Sequence, residues 1–321
     1  MFPEIKYSII IPFFNSSKCI EELLNSIPSR PEYEILVVDD KSDQNEAEEL
    51  KRIISIRKDQ NVTYYLNDRK KSAGTCRNIG VENAKGKWLI FADSDDYFTE
   101  SAHDVFEKWY GDEADLIYFV PTSYVRKEDV VGDRHVNYEK WVKDYIDCNS
   151  RKNEIALKTN FVVPWSKMIK REVVVQNGIL FDEVRASNDV MFSLQVAFSS
   201  QSFRCSTECI YCVTKNPGSL MYRIDRDVLD ARLHVYIRQY AFLKRSLPAD
   251  EFAALKMRGT SMLRKYILAK QPVTVVMGVF ITLIKNHVKV FDLRIINLKW
   301  WKKAASKLSV SYSKDKKYYK K

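Results

Sequence analysis

Asp93-Ser94-Asp95-Asp96 directly follows the apolar run Trp88-Leu89-Ile90-Phe91-Ala92, and Asp39-Asp40 directly follows Ile35-Leu36-Val37-Val38. Both acidic clusters sit where a short buried strand would end. In a parallel α/β sheet such ends share the carboxyl edge, where ligands bind. Three carboxylates within four residues repel one another, and a divalent cation offsets that cost. Hard oxygen ligands suit Mg²⁺ or Mn²⁺. A cation held there would in turn hold a diphosphate.

Other residues fall at the same edge. The first strand-to-helix loop, Pro12-Phe13-Phe14-Asn15, has no glycine, so it is neither a dinucleotide fingerprint nor a P-loop. Phe13 reads as core. Phe14 reads either as core or as an aromatic face for a nucleobase. Asp40 can accept the imide N–H of a uracil, a donor that cytosine lacks. It can equally serve the turn before the next helix, as Asp39, Ser42 and Asp43 can. Gly74 permits close backbone approach at the start of a third helix, and Arg77 lies in the first turn of that helix.

The elements that must position these groups alternate through the first third of the chain. Strands are expected at Tyr7–Ile11, Glu34–Val38, Val62–Leu66 and Trp88–Ala92. Helices are expected at Lys18–Ser26, Asn45–Lys58 and Thr75–Ala84, with Gly86 marking the end of the third. This βαβαβαβ order predicts a mostly parallel sheet. Beyond it, Ser101–Trp109 reads as a helix and Leu116–Val120 as a strand. Residues 123–160 read as polar and irregular, with one helix near Tyr138–Ile146. Asp189–Phe198 is a helix, and Phe203–Val213 is a strand pair or one long strand. Helices follow at Asp225–Leu247, Ala249–Leu268 and Val273–Ile284. The natural cut divides residues 1–222, an α/β domain, from residues 223–321, a helical region with a basic tail.

Four segments in this order and spacing form a specific pattern: Ser8-Ile9-Ile10-Ile11-Pro12-Phe13-Phe14-Asn15, Val37-Val38-Asp39-Asp40-Lys41-Ser42, Gly74 with Arg77-Asn78-Ile79-Gly80, and Phe91-Ala92-Asp93-Ser94-Asp95-Asp96. Together they resemble glycosyltransferase family 2. The resemblance continues through Val163-Pro164-Trp165-Ser166-Lys167-Met168-Ile169, through Phe181-Asp182-Glu183 with Asn188-Asp189-Val190-Met191-Phe192, and through Pro217-Gly218-Ser219-Leu220. It covers about residues 5–222. It implies the GT-A fold, a mixed and mostly parallel α/β sheet flanked by helices, with the C-terminal helices as an extension. It also implies a nucleotide-diphospho-sugar donor, UDP being favoured by family habit, and inversion at the anomeric centre. Carried across residue by residue, Pro12 and Phe14 would line the base pocket, Asp40 would read uracil, Arg77 would assist at the nucleotide and Asp93 would touch the ribose. Asp95 or Asp96 would ligate Mn²⁺ or Mg²⁺. The family's acidic pair before the late helix is Asn188-Asp189 here. One carboxylate is missing, so Asp189 is left as the base that deprotonates the acceptor hydroxyl, with Glu183 and Asp182 next in line. The acceptor would be a glycan or a lipid-linked sugar of a bacterial surface polysaccharide.

Composition bounds the remaining classes. The 321 residues carry a net charge of +10. Residues 285–321 hold twelve Lys and Arg against two Asp, so residues 1–284 sum to neutrality. A basic tail suits an anionic surface. Ile284, Val288, Phe291, Ile295, Leu298, Ala305 and Leu308 recur at helical spacing, with Lys285, Lys289, Lys299, Lys302, Lys303 and Lys307 mostly off that stripe and Trp300-Trp301 among them. Such a helix suits a membrane headgroup region. It equally suits packing on the transferase domain. The family resemblance implies the first, because members that build surface polysaccharides often work on lipid-linked acceptors at the inner membrane face: peripheral membrane contact through residues 272–321 is expected, and nucleic acid is not. The start of the chain lacks the layout of a signal peptide. The longest apolar stretch, Val273–Ile284, falls short of the roughly 20 residues a membrane span takes. Cys205, Cys209 and Cys212 read as buried or half-buried thiols in a reducing setting rather than as zinc ligands. The localisation expected is cytoplasmic, peripheral at the inner membrane face. A nucleotidyltransferase on a similar sheet is the competing enzyme class, disfavoured by the absent Gly-rich first loop. A basic-tailed nucleic-acid binder is the non-catalytic alternative.

Overall fold

The computed structural model describes residues 4–57, 61–215 and 225–291. Two compact units result: Met1–Arg223 together with Asp230–Val235, and Ile224–Leu229 together with Tyr236–Lys321.

The first unit opens with β1 (Tyr7–Phe13), α1 (Ser17–Asn25), β2 (Tyr33–Asp39), α2 (Gln44–Ser55), β3 (Val62–Leu66), α3 (Ala73–Asn83) and β4 (Trp88–Phe91). It continues with β5 (Tyr97–Phe98), α4 (Ala102–Trp109), β6 (Leu116–Val125), β7 (Val130–Val131), α5 (Val136–Asp147) and α6 (Arg151–Asn160), then β8 (Lys167–Lys170), α7 (Arg171–Gln176), α8 (Val190–Ser199) and β9 (Phe203–Lys215). The strand order is β3-β2-β1-β4-β8-β6-β9-β5, with β7 on β6. β1 to β4 run parallel, as the alternation predicts. β8 then runs antiparallel to both β4 and β6, while β9 runs parallel to β6. The sheet is thus mixed, and its parallel half aligns the ends of β1, β2 and β4 at one edge.

β1, β2 and β4 are buried along their whole length, as strands covered on both faces require. The polar exceptions are satisfied. Ser8 donates to Glu34 Oε1 at 2.5 Å, and the same carboxylate accepts from the backbone of Lys85 and Gly86. That arrangement corrects the role expected of Gly86. α3 ends at Ala84 in extended conformation, so no left-handed glycine closes it. Gly86 is small because a Cβ there would lie 2.6 Å from the Ser8 nitrogen.

The stretch 123–160 is more ordered than its polarity suggests. It holds the end of β6, then α5 and α6, with Ser150 accepting from the Asn153 N–H as the N-cap of α6. Val142, Ile155 and Leu157 are buried, and Tyr138 packs edge-on to Trp141, Phe161 and Trp165. β9 is one long strand with bulges against Phe119–Thr122.

The second unit holds parts of α9 (Arg226–Ser246), then α10 (Ala249–Ala254), α11 (Thr260–Leu268) and α12 (Val273–Lys285). The helix expected over Ala249–Leu268 is two, broken where Lys256 adopts φ 52°. Met262, Tyr266, Val279, Leu283, Val288 and Val290 form its buried face. The Pro217-Gly218-Ser219-Leu220 segment and the tail beyond Phe291 lie outside the described residues.

Candidate active site

The acidic loop after β4 is built by hydrogen bonds to β9. The Asp93 N–H donates to the Tyr211 hydroxyl at 2.8 Å, and that hydroxyl donates to Asp96 Oδ2 at 2.9 Å. The Thr214 N–H reaches Asp96 Oδ1 at 2.7 Å. The Asp95 carbonyl accepts from Thr214 Oγ1 at 2.5 Å and from Arg126 Nη2 at 3.2 Å. Asp96 is 1% exposed, and burial, with the charges of Asp95 and Asp93, pushes its carboxyl well above the usual range. Both Asp96 oxygens therefore serve the fold. Asp93 and Asp95 stay half-buried.

Arg77 joins two loops. Its Nη2 donates to Asp93 Oδ1 at 2.5 Å and its Nη1 to Asn188 Oδ1 at 2.8 Å. The guanidinium also lies 5.4 Å from the Phe181 ring centre. Asn188 is the position at which the family pattern has its carboxylate. A neutral amide there accepts from Arg77 without competing with Asp93 for its charge.

The loop that carries Asn188 is clamped to α3. Asn78 exchanges two hydrogen bonds with the Phe181 backbone, at 2.8 and 3.1 Å. Asp182 N–H donates to the Asn188 carbonyl at 3.0 Å. Gly74 must be glycine, because a Cβ there would come 2.2 Å from the Asp182 carbonyl oxygen. Phe181 stacks on Phe192 of α8 with ring centres 3.7 Å apart.

Asp189 heads α8, yet its side chain makes no capping hydrogen bond. The carboxylate accepts instead from its own backbone N–H. It keeps some open surface but sits deep enough among protein atoms that desolvation raises its pKa. Arg77 and Lys167 oppose that rise, while Asp93 adds to it. Lys167, of the Trp165-Ser166-Lys167 segment, is buried with Nζ donating to the Phe161 and Val163 carbonyls at 2.7 Å each. Burial lowers its pKa to about 7.

At the first strand-to-helix loop, Pro12 is buried and Phe13 is core, as its reading required. Phe14 is 46% exposed with Lys71 Nζ 3.7 Å from its ring centre. Its aromatic face is therefore at the surface. Asp40 is buried. Its Oδ1 accepts from Asn67 Nδ2 at 2.7 Å and the Ser72 N–H at 3.0 Å, and the Cys76 thiol also bonds to it. These donors lower its pKa, but desolvation outweighs them and raises it. Asp40 thus organises the turn that opens α3, the helix carrying Arg77. Asn15 and Asp43 exchange hydrogen bonds of 2.9 Å, which locks the first loop to the second.

The sequence-predicted residues therefore form one connected edge. Arg77, Asp93 and Asp189 share a cluster, Asp95 and Asp96 continue its acidic loop, and Asp40 and Phe14 lie beyond the start of α3. Tyr211, Thr214 and Arg126 were not foreseen. They act on residues about 30 to 120 positions away, and no local pattern marks them. Among the described residues no three Asp, Glu, His or Cys side chains converge as a metal-ligand set. The donor set nevertheless fits Mg²⁺ or Mn²⁺. Such ions are commonly held by one or two carboxylates, with substrate phosphates completing the shell. Asp95 and the second Asp93 oxygen are of that kind.

The family described as Glycosyl transferase family 2 matches residues 8–177. An uncharacterised glycosyltransferase of Mycoplasma genitalium, MG060, is 28% identical over 232 residues, which are 68% of this chain and 72% of that protein. The poly(ribitol-phosphate) beta-N-acetylglucosaminyltransferase TarS of Staphylococcus aureus is 23% identical over 68% of this chain, and the match spans only 37% of TarS. Its residues 1–349, solved with UDP-GlcNAc, superpose with a TM-score of 0.62 at 22% identity over 81% of this chain and 72% of that one. The mannosyltransferase PcManGT of Pyrobaculum calidifontis, solved with GDP-Man and Mn²⁺, gives 0.57 at 14% identity over 97% and 80%.

Proposed function

The chain belongs to glycosyltransferase family 2 and has the GT-A fold, and on that premise we propose that it transfers a sugar, with inversion, from a UDP-sugar to a hydroxyl of a glycan or lipid-linked acceptor in surface polysaccharide synthesis. The nucleotidyltransferase and nucleic-acid-binding alternatives have no support once the family is established. The observation that carries the proposal is Asp189. Its carboxylate is not spent on capping α8 and shares a cluster with Arg77 and Asp93, the residues expected at the donor.

An acceptor hydroxyl is a poor nucleophile at neutral pH. Asp189, as the ionised base, takes its proton while the new C–O bond forms. A single attack opposite the leaving nucleotide inverts the anomeric carbon. Arg77 holds Asp93 and the Asp189 loop in fixed relation, so base and donor keep their separation. Phe14 offers a face to the base, Pro12 backs that pocket, and Asp40 reads the uracil edge. Asp95, with Asp93, would hold Mn²⁺ or Mg²⁺, which as a Lewis acid supplies charge stabilisation to the departing diphosphate. The TarS and PcManGT complexes support the donor class and the metal, since each was solved with a nucleotide sugar and one with Mn²⁺.

Peripheral contact with the inner membrane face through residues 272–321 belongs to the same proposal. Among the described residues, no helix is long and apolar enough to cross a membrane. On α12, Val273, Met277, Ile281 and Ile284 make one apolar face, each at least 47% exposed.

The donor reading is tested by a thermal-shift panel of nucleotide sugars with and without Mn²⁺, followed by transfer assays with the stabilising donor. A UDP-sugar that stabilises only with the cation is expected. Full UDP affinity in EDTA would overturn the metal, and preference for a GDP-sugar would overturn the nucleotide.

A further inference from the structure

Arg134 is a half-buried cation that forms no ion pair with a described carboxylate. It lies between β7 and α5, on a segment fixed to β6 from both sides. The Gly132 N–H donates to the Ser123 carbonyl at 2.8 Å, and His135 Nδ1 pairs with the Ser123 hydroxyl at 2.8 Å. Gly132 has to be small, because a Cβ there would lie 2.9 Å from Ser123 Oγ. These contacts tie the platform under Arg134 to β6.

From that platform Arg134 Nη1 reaches the Thr214 carbonyl at a long 3.4 Å. Thr214 is the residue whose N–H holds Asp96 and whose hydroxyl holds the Asp95 carbonyl. The guanidinium thus stands beside the acidic loop. Its field reaches both Asp96 and Tyr138, and Tyr138 in turn senses Asp189. The neighbouring Arg126 differs, because it is paired with Glu22 at 2.5 Å. Among the described residues Arg134 makes one weak hydrogen bond to a neutral oxygen and has no acid within ion-pair distance. Partly desolvating a guanidinium without a direct ion-pair partner is costly. An anion bound beside the acidic loop would pair with the guanidinium and use its planar fork.

We propose that Arg134 is the phosphate-binding residue of a subsite beside the acidic loop, and that it contacts a phosphate oxyanion of the bound substrates. This rests on the glycosyltransferase reading and adds a ligand chemistry to it. Two phosphates could occupy the subsite: the diphosphate of the donor, or a phosphate carried by the acceptor chain.

The experiment compares wild type with Arg134→Ala and Arg134→Lys, each first shown by circular dichroism and melting temperature to be folded. Two titrations follow, one with UDP in the presence of Mn²⁺ and one with glycerol 1-phosphate on protein already saturated with UDP and Mn²⁺. If the donor phosphate is the occupant, UDP affinity falls about tenfold or more in Arg134→Ala, with partial recovery in Arg134→Lys. If an acceptor phosphate is the occupant, UDP affinity is kept, wild type binds glycerol 1-phosphate and Arg134→Ala does not. Equal affinities for both probes in folded wild type and variants overturn the proposal, as does the absence of glycerol 1-phosphate binding to wild type when UDP affinity is unchanged in Arg134→Ala. Failure of wild type to bind UDP at all would strike the donor reading itself. In that case glycerol 1-phosphate is titrated onto protein without nucleotide, and binding lost in Arg134→Ala sustains the subsite while its persistence overturns it.

Discussion

Asp95 and Asp96 are sequence neighbours in opposite environments, and substitution should separate them. Asp96→Ala removes the acceptor from a buried tyrosine hydroxyl and a backbone N–H, so it should destabilise the fold by about 1–3 kcal/mol in urea titration. Asp95→Ala should keep the melting temperature and lose Mn²⁺-dependent UDP binding. The reverse pattern would move the cation to Asp96. Asp189→Asn should fold, bind the donor and lose transfer by a factor of about 10²–10⁴. Near-normal turnover would pass the base role to Glu183 or Asp182. The pH profile carries its own sign. Asp189 works ionised, so activity is lost as pH falls. Its pKa is raised by burial, so the acid limb of kcat/KM should lie above the value near 4 of an ordinary aspartate. A limb at or below that value would place the base in a more solvated carboxylate. These acids could be read from sequence because each follows an apolar run at a strand end or opens a helix. Their division of labour could not be read, because it depends on Tyr211 and Thr214, more than 110 residues away.

The α3 helix and the 181–188 loop act as one part, since Gly74, Arg77 and Asn78 all engage that loop. Gly74→Ala should push the Asp182 carbonyl away and disturb the aim of Asp189. A loss of about 1–3 kcal/mol in stability and a drop in kcat larger than any change in donor affinity are expected. Gly111→Ala is the control, because a Cβ there meets nothing within 4 Å. Equal behaviour of the two variants would dissolve the clamp. Elements with strong patterns were legible: β1 to β4 are short apolar runs, and α1 and α2 carry an apolar face. α6 was not. Its sequence, Arg151–Asn160, offers few apolar residues, and the helix depends on the Ser150 cap and on burying Ile155 and Leu157. The helix break at Lys256 was equally silent, because a left-handed lysine has no turn signature in sequence.

Over the whole chain, charge divides more sharply than the tail alone suggests. Residues 236–291 already hold ten Lys and Arg against two acids, so the basic character begins inside the second unit. The neutrality of residues 1–284 therefore sums an acidic transferase part and a basic helical part. That basic unit also carries the exposed face of Val273, Met277, Ile281 and Ile284, spaced along one side of α12, with Lys270 and Lys285 exposed or half-exposed at its two ends. Apolar side chains enter the acyl boundary while lysines meet anionic headgroups, and each contribution alone is weak. Binding should therefore need both. The full chain should co-sediment with vesicles of phosphatidylglycerol and phosphatidylcholine but not with phosphatidylcholine alone, and high salt should release it. Met277→Glu with Ile281→Glu changes only exposed positions, so folding and transfer to a soluble acceptor should persist while vesicle binding falls at least tenfold. Retained binding would assign the contact to residues beyond Phe291. A dimer that the double substitution dissociates, without vesicle binding by either protein, would make this face a contact between two copies. Absence of binding with a monomer throughout would leave the face to the chain's own tail, and the localisation would then be plain cytosol.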